Sequence, residues 1–529
     1  MKDWNMTKAS VKLSSRKWDI GLFALIQIGI MFLAISQESL WIDEFWAAYF
    51  VTIDSFGQMC DLLFKLSGSQ TPLHFTYYYF WGLISQPSEM GLRLANLPLF
   101  LLGQLSLFYA LRAYPKTFTY LFLAISALHP LVWQYANEAR PYIMLYAGAE
   151  MMLAYILLLH TVKDDSKCVN PVFSAIFVLG SLLLFGSSML GAFWVFSACL
   201  HIAYYHYEHL DSRYLTRGVT LLLVIVFLLP TTLLTLYYAD SVIHGGGASR
   251  LSTTTLVTVL FNAYELLGMS GVGPGRLELR DSGIASLGPY WIWLIPAAAV
   301  VLATLIGGVQ ETKRLLGTRR TILVCALGLL PMAIVIFSGF AMHWRVLGRH
   351  LIAELPLLNV LFALGLARFL GTGSDRVRPL KPMLAVAFLL VLVYSSCAMR
   401  FSDRHRKDDY LAASAIAKQD YAKGKRVWWA ADDLGAKYYD LPGEFDFMGE
   451  LTGISEPYSC IDRAGIQSIY KASAECLEKL AAPDVIILSK PETFDNDGVI
   501  AAFLKNRDFI KVQTLPAFTV WRPSNPEKK

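Results

Sequence analysis

Two adjacent carboxylates, Asp43 and Glu44, stand at the exit of the first apolar segment, in the run Ser39-Leu40-Trp41-Ile42-Asp43-Glu44-Phe45-Trp46. Carboxylates beside tryptophans at a membrane boundary are costly to desolvate, and such groups mark chemistry or a substrate path. The other polar residues that punctuate the apolar segments are few in kind: His74, Arg93, His129, Glu138, Arg140, Arg349 and His350. Carboxylates combined with arginines suit one task. A carboxylate takes a proton from an acceptor hydroxyl, while guanidinium groups grip a phosphate with forked hydrogen bonds and neutralise it as it leaves. The pattern suggests group transfer at a membrane–water boundary.

The elements that must position these residues are membrane helices. Of 529 residues, 55% are hydrophobic and 16% charged, with a mean hydropathy of +0.45; a soluble domain carries about 25% charged residues. Apolar runs of about 20 residues, enough to cross a bilayer, recur from Ile20 to Met399. The fold class read from the chain is therefore a polytopic α-helical membrane protein. The net charge of +5 reflects loop asymmetry, and nothing resembles a nucleic-acid-binding module. Lys8, Lys12, Arg16 and Lys17 precede the first apolar segment, and no small-residue cleavage site closes it, which reads as a retained signal anchor.

Six segments are rich in Lys and Arg: the N-terminal tail; Arg112 with Lys116; Lys163 with Lys167; Arg213 with Arg217; Lys313, Arg314, Arg319 and Arg320; and Arg368, Arg376, Arg378 and Lys381. Placing all six in the cytoplasm satisfies the positive-inside rule. It predicts eleven spans, near 18–37, 92–111, 118–134, 141–160, 170–187, 190–207, 218–237, 289–308, 321–340, 351–369 and 383–399, with residues 400–529 outside. The short aromatic stretch from Pro72 to Ser85 is read as a helix lying in the outer interface, since counting it as a span would invert every later loop.

Two outer loops are long. Residues 38–91 carry Asp43 and Glu44; residues 238–288 carry His244-Gly245-Gly246-Gly247, a helix over 253–267, and the run Gly271-Val272-Gly273-Pro274-Gly275-Arg276. That run lacks the Lys-Ser/Thr ending and the preceding strand of a phosphate loop, so it reads as a flexible lid. The organisation predicted is a membrane domain over 1–399 and an extracytoplasmic α/β domain over 400–529. In the latter, Val427-Trp428-Trp429-Ala430 and Val485-Ile486-Ile487-Leu488-Ser489 are strands and 408–421 is an amphipathic helix. The seven cysteines show no metal-ligand spacing; Cys460 and Cys476 could pair if the tail faces an oxidising compartment. His201, His206 and His209 read as interfacial residues and not as metal ligands. No metal site or cofactor is assigned, and a divalent cation is left open.

The order of motifs also resembles a family. Asp43-Glu44 after span one, Thr71-Pro72-Leu73-His74 opening an interfacial helix, Leu92-Arg93-Leu94 opening span two, His129-Pro130 followed by Asn137-Glu138-Ala139-Arg140-Pro141-Tyr142, and Gly348-Arg349-His350 before a Pro-containing span look like the C-type membrane glycosyltransferases, in their protein mannosyltransferase and aminoarabinose transferase branch. The resemblance covers roughly residues 18–370. It implies an inverting transfer outside the cytoplasm, from a polyprenyl-phosphate-linked sugar to a hydroxyl of a lipid, glycan or protein, in a multi-pass inner-membrane enzyme. Under it Asp43 matches the first-loop acid and Arg93 the arginine heading span two. The candidates sort into catalytic Asp43 and Glu44; donor-phosphate ligands Arg93, Arg140, Arg349 and His350; and substrate-binding His74, Glu138 and Tyr142. The sequence departs from the aminoarabinose enzymes at Gln70 and Thr71, where those carry a lysine before a Pro-Pro pair, and at His350, where an Arg-Tyr pair is common.

Plainer readings stand beside these. Asp43 or Glu44 could cap the following helix, Arg93 could snorkel to lipid phosphates, and Glu138 and Arg140 could brace a turn. Arg349 could be an outer-face charge, and the histidines structural. A transporter or flippase of lipid-linked saccharides is the competing class. Transporters show inverted repeats and broken midplane helices; the halves of this chain show no repeat, and its ionisable residues gather at one face, with Glu354 the main exception.

Overall fold

The computed structural model describes residues 17–65, 71–160, 171–208, 217–243, 253–371, 380–445, 462 and 464–524. His244–Gly247, Gln70, Cys168, Cys460 and several of the basic loop residues lie outside them. The chain divides into two compact units: Met1–Ser36, Ser67–Tyr77 and Arg93–Ser402 in one, and Gln37–Leu66, Tyr78–Leu92 and Asp403–Lys529 in the other.

The first unit is helical. Six helical stretches among the described residues are long and apolar enough to cross a membrane: Glu89–Leu111, Tyr142–Leu159, Arg276–Leu316, Thr318–Ala341, Gly348–Leu370 and Leu380–Phe401. Shorter apolar helices, including Lys116–Leu128, Val172–Ser187 and Gly191–Tyr205, occupy other expected spans. The segment expected as one span over 118–134 is instead two helices, Lys116–Leu128 and Pro130–Ala136. The break has a local cause. Pro130 offers no N–H and holds His129 extended at ψ 128°, which ends the first helix. The helix Pro72–Gly82 has 11 residues and is about 16 Å long, against the roughly 30 Å of a hydrocarbon core.

Apolar helices gain little from one another in lipid, so close backbone approach and buried polar contacts hold them together. Helices Trp291–Leu316 and Leu355–Leu370 meet at Gly308 and Gly365; a Cβ on Gly365 would lie 2.1 Å from the Thr304 carbonyl oxygen. Deeper in the bundle, Gln104 donates to Glu150 at 2.5 Å, Tyr146 to the Ser126 carbonyl at 3.2 Å, and Asn359 to the Ser126 hydroxyl at 3.3 Å. Glu150 is fully buried, a second ionisable residue away from the polar face that the sequence reading passed over in naming Glu354 alone.

The second unit is built on a five-stranded sheet. Its strands are β1 (Val427–Ala430), β2 (Gln467–Ser468), β3 (Val485–Ser489), β4 (Phe509–Leu515) and β5 (Phe518–Pro523), in the order β2-β1-β3-β5-β4. β1 pairs in parallel with β2 and β3, while β5 runs antiparallel to β3 and β4. Every residue of β1 and β3 is buried, as continuous apolar runs in a doubly covered parallel core require. On one side Trp428, Ile486 and Leu488 pack with Leu477, Ile500 and Phe503. The expected amphipathic helix is Tyr410–Ala422, capped by Asp409, whose carboxylate accepts from Ala412 N at 2.9 Å. Cys476 is disulfide-bonded; Cys460, the partner the sequence suggested, is outside the described residues.

The first acidic loop belongs to this second unit, not to the membrane helices as a boundary at residue 399 implies. Phe45 is wholly buried, with ring centroids 4.9 Å from Tyr410, 5.7 Å from Tyr438 and 6.0 Å from Tyr439. Leu411 N donates to the Ser39 hydroxyl and Leu40 N to the Tyr439 hydroxyl, both at 3.1 Å. Tyr439 also donates to Glu89 at 3.2 Å, and Tyr438 to the Pro87 carbonyl at 2.7 Å. Burial is the main reason that the Tyr439 hydroxyl resists ionisation more than usual.

Candidate active site

In the first unit the site is built around the turn between helices Pro130–Ala136 and Tyr142–Leu159. Pro141 precedes the second helix and the backbone closes through Arg140 N to the Glu138 carbonyl at 2.8 Å. Asn96, one turn beyond Arg93, donates to the same Glu138 carbonyl at 2.7 Å and to that of Ala136 at 3.0 Å. Asn137 reaches the end of the first span, accepting from Ser36 N at 2.7 Å and from the Ser36 hydroxyl at 2.9 Å. Arg93, fully buried, donates to the Ser36 carbonyl at 3.0 Å. It does not snorkel to lipid: it knits the end of span one to the turn.

Two arginines converge on one ring. The Arg140 guanidinium lies 5.8 Å and that of Arg349 5.9 Å from the centroid of Tyr142, which itself packs at a tilt against Tyr135, ring centroids 4.6 Å apart. Tyr142 is buried, while Arg140 and Arg349 are each partly exposed. Of the three arginines named for the donor phosphate, the structure therefore groups Arg140 with Arg349. Tyr142, expected to touch substrate, is the surface on which both rest; a ring face attracts such cations by about 0.5–2 kcal/mol.

The remaining predicted residues support this pair. Glu138 is buried and meets Arg276 at 3.7 Å; it is a buried counter-charge more than a substrate contact. His74 is 1% exposed and hydrogen-bonds the Ala139 backbone; burial first, then the Arg140 charge, hold its pKa well below the ordinary histidine value. It braces the turn as a neutral ring. His350 Nδ1 accepts from Leu347 N at 3.1 Å, at the start of the 3-10 helix Gly348–Glu354. That fixes its proton on Nε2, so His350 can offer a phosphate one hydrogen bond but no charge. His129 caps helix Pro130–Ala136 through Nδ1, with Nε2 3.2 Å from the Leu266 carbonyl. The run Gly271–Gly275 is buried and pinned by Gly271 N to Ser395 Oγ at 2.7 Å and by Gly273 N to Tyr264 OH at 3.0 Å. It is a packed turn, in place of the flexible lid the glycines suggested.

Two residues were absent from the candidates read from the sequence. Arg276 bridges Glu138 and Glu265, at 3.7 Å each, and donates to the Tyr135 hydroxyl at 3.3 Å. Glu265 accepts from Gly348 N at 3.2 Å, and a Cβ on Gly348 would fall 2.1 Å from the same carboxylate oxygen. Burial raises the Glu265 carboxyl, with Arg276 opposing. Arg349 is thus set by a chain running Glu138, Arg276, Glu265, Gly348. The available signal was Glu265 alone, a single acid in the otherwise apolar helix Leu256–Leu266.

In the second unit the acidic pair divides. Asp43 begins helix Glu44–Val51 without a side-chain cap bond, so the capping reading fails for it. Glu44 is fully buried, accepts from Trp41 N at 3.3 Å and pairs with Lys407 at 3.4 Å. Both partners engage the carboxylate that the sequence paired with Asp43 as catalytic. No group of metal-ligating side chains occurs among the described residues.

The fold is similar to that of a solved membrane glycosyltransferase. ArnT from Cupriavidus metallidurans in the apo state superposes with a TM-score of 0.53 at 12% identity, over 96% of this chain and 98% of that one. The same enzyme bound to undecaprenyl phosphate gives 0.48 at 13% identity, over 96% and 98%. Mycobacterial arabinofuranosyltransferase AftD gives 0.42 at 14% identity over 96% of this chain, which spans 40% of AftD's length. No family model and no curated protein matches the sequence.

Proposed function

We propose that this protein is an inverting glycosyltransferase that moves a sugar from a polyprenyl-phosphate carrier to an acceptor hydroxyl at the outer face of the membrane. The observation that carries the reading is the convergence of Arg140 and Arg349, from segments about two hundred residues apart, on the Tyr142 ring. Two guanidinium groups gathered on one ring, with Glu265 fixing the backbone just before Arg349, suit a phosphate, whose geometry they match in forked hydrogen bonds. In the reaction Asp43 takes the acceptor hydroxyl proton as that oxygen bonds to the anomeric carbon. The bond from that carbon to the phosphate oxygen breaks, and the phosphate departs on its lipid with its charge met by the arginines. The disulfide at Cys476 supports an oxidising, extracytoplasmic setting for the sheet unit.

Purified protein in detergent, supplied with polyprenyl-phosphate sugars and a mixture of lipid, glycan and peptide acceptors, should consume the lipid donor and release polyprenyl phosphate. Nucleotide sugars should not serve. Turnover of nucleotide sugars, or passage of intact lipid-linked sugar across a proteoliposome bilayer without transfer, would overturn the reading.

A further inference from the structure

Asp43 lies between two residues that are each held by a lysine from far along the chain. On its C-terminal side, Glu44 is fully buried and pairs with Lys407 Nζ at 3.4 Å. On its N-terminal side, Trp41 has Lys490 Nζ 5.7 Å from its ring centroid. The two clamps are joined, because Lys490 also forms an ion pair with Asp408, next to Lys407. Lys407, Asp408 and Lys490 are all nearly buried, their side chains 14%, 9% and 13% exposed. Lys490 adopts φ 28°, in the region that side-chain-bearing residues seldom occupy. Two ion pairs, from neighbouring residues 407 and 408, thus flank the turn that carries Asp43; Glu44 N donates to the Trp41 carbonyl at 2.8 Å across that turn.

We propose that Lys407 is a positioning residue for Asp43, acting through the buried carboxylate of Glu44, and that Lys490 completes the clamp at Trp41. The inference rests on the reading of Asp43 as the base. The sheet unit then aims the base. A buried carboxylate that loses a counter-charge pulls toward water or takes up a proton, and either event turns the segment that carries Asp43. Displacement of a reacting group by about 1 Å can cost on the order of 10²-fold in rate.

The test uses the full-length protein with Lys407→Met, Lys407→Arg and the double variant Lys407→Met/Glu44→Gln. Lys407→Met should lower kcat by about ten- to a hundredfold with the donor KM within about twofold of the parent. Lys407→Arg, which keeps the charge, should restore most of the rate. The double variant should be faster than Lys407→Met, because it leaves no lone buried charge. Hydrogen exchange over residues 38–51 should quicken in Lys407→Met and not over helix Tyr142–Leu159. Unchanged kcat, a rise in KM alone, or unchanged exchange over 38–51 would overturn the proposal. If Lys407→Met does not fold, Glu44→Gln serves as the reference: a double variant at least as fast as Glu44→Gln supports the coupling, and a slower one overturns it. Exchange needs no donor, so it separates failure of the clamp from failure of the transferase reading.

Discussion

At Asp43 the chain enters a helix with φ −75° and ψ −21° and no cap bond from its carboxylate, whereas Glu44, one residue on, is buried against Lys407. The pair therefore predicts unequal mutants. Asp43→Asn should lower kcat by about 10²–10⁴-fold in a folded protein that still binds donor; parental turnover would remove Asp43 as the base. Among the arginines, Arg140→Lys and Arg349→Lys keep charge but lose the forked geometry. Each should weaken donor use measured as kcat/KM, and normal kinetics in both would place the phosphate elsewhere. The kinds of candidate residue were legible in the sequence because a charge beside an apolar run stands out. Their division of labour was not. Whether Asp43 or Glu44 is spent on structure depends on Lys407, which is 363 positions away, and the support of Arg349 depends on Arg276 and Glu265, which pattern alone cannot join.

At the scale of elements, helix positions followed the hydropathy closely, since an apolar run in lipid must close its own backbone hydrogen bonds. What hydropathy could not show was contact: the break at His129 and the crossing at Gly308 and Gly365. Gly365→Val drives a side chain against the Thr304 carbonyl and should cost about 1–3 kcal/mol, read as a lower melting temperature in detergent. In the sheet unit, Asp420 ties helix Tyr410–Ala422 to β5, with Arg522 at 2.7 Å and Lys425 at 2.9 Å. Burial pushes its carboxyl up, but the Lys425 hydrogen bond and the Arg522 charge outweigh that and leave it below the ordinary 3.8. A carboxyl lowered by folding contributes stability above its unfolded pKa and loses it as pH falls through the folded one. Exchange protection of β5 in the intact protein should thus weaken below about pH 4. Asp420→Asn should lower protection at neutral pH and flatten that acid dependence; an unaltered profile would show that the tie contributes nothing.

For the whole molecule, the charge pattern sets a topology that labelling can check. A cysteine at Ser282, an exposed position, should react with a membrane-impermeant reagent in intact cells lacking the native thiols, as should one at Ser69. One at Thr318, also exposed, should react only after the membrane is opened. Like behaviour of Ser282 and Thr318 in intact cells would mean that helix Trp291–Leu316 does not cross, and a silent Ser282 with a reactive Thr318 would mean that Pro72–Gly82 crosses the bilayer.

The first acidic loop is made early in synthesis, and what holds it is made last: Lys407, Lys490 and the strands that carry the sheet follow some 360 residues and ten predicted crossings later. Under the proposed topology a ribosome-bound chain already displays its arginines in membrane while the turn at Asp43 has nothing to rest on. Such a chain could hold a lipid donor without consuming it. Reactivity would arrive only once the sheet strands are made, and products shortened before Lys407 should hold donor yet transfer nothing to an acceptor.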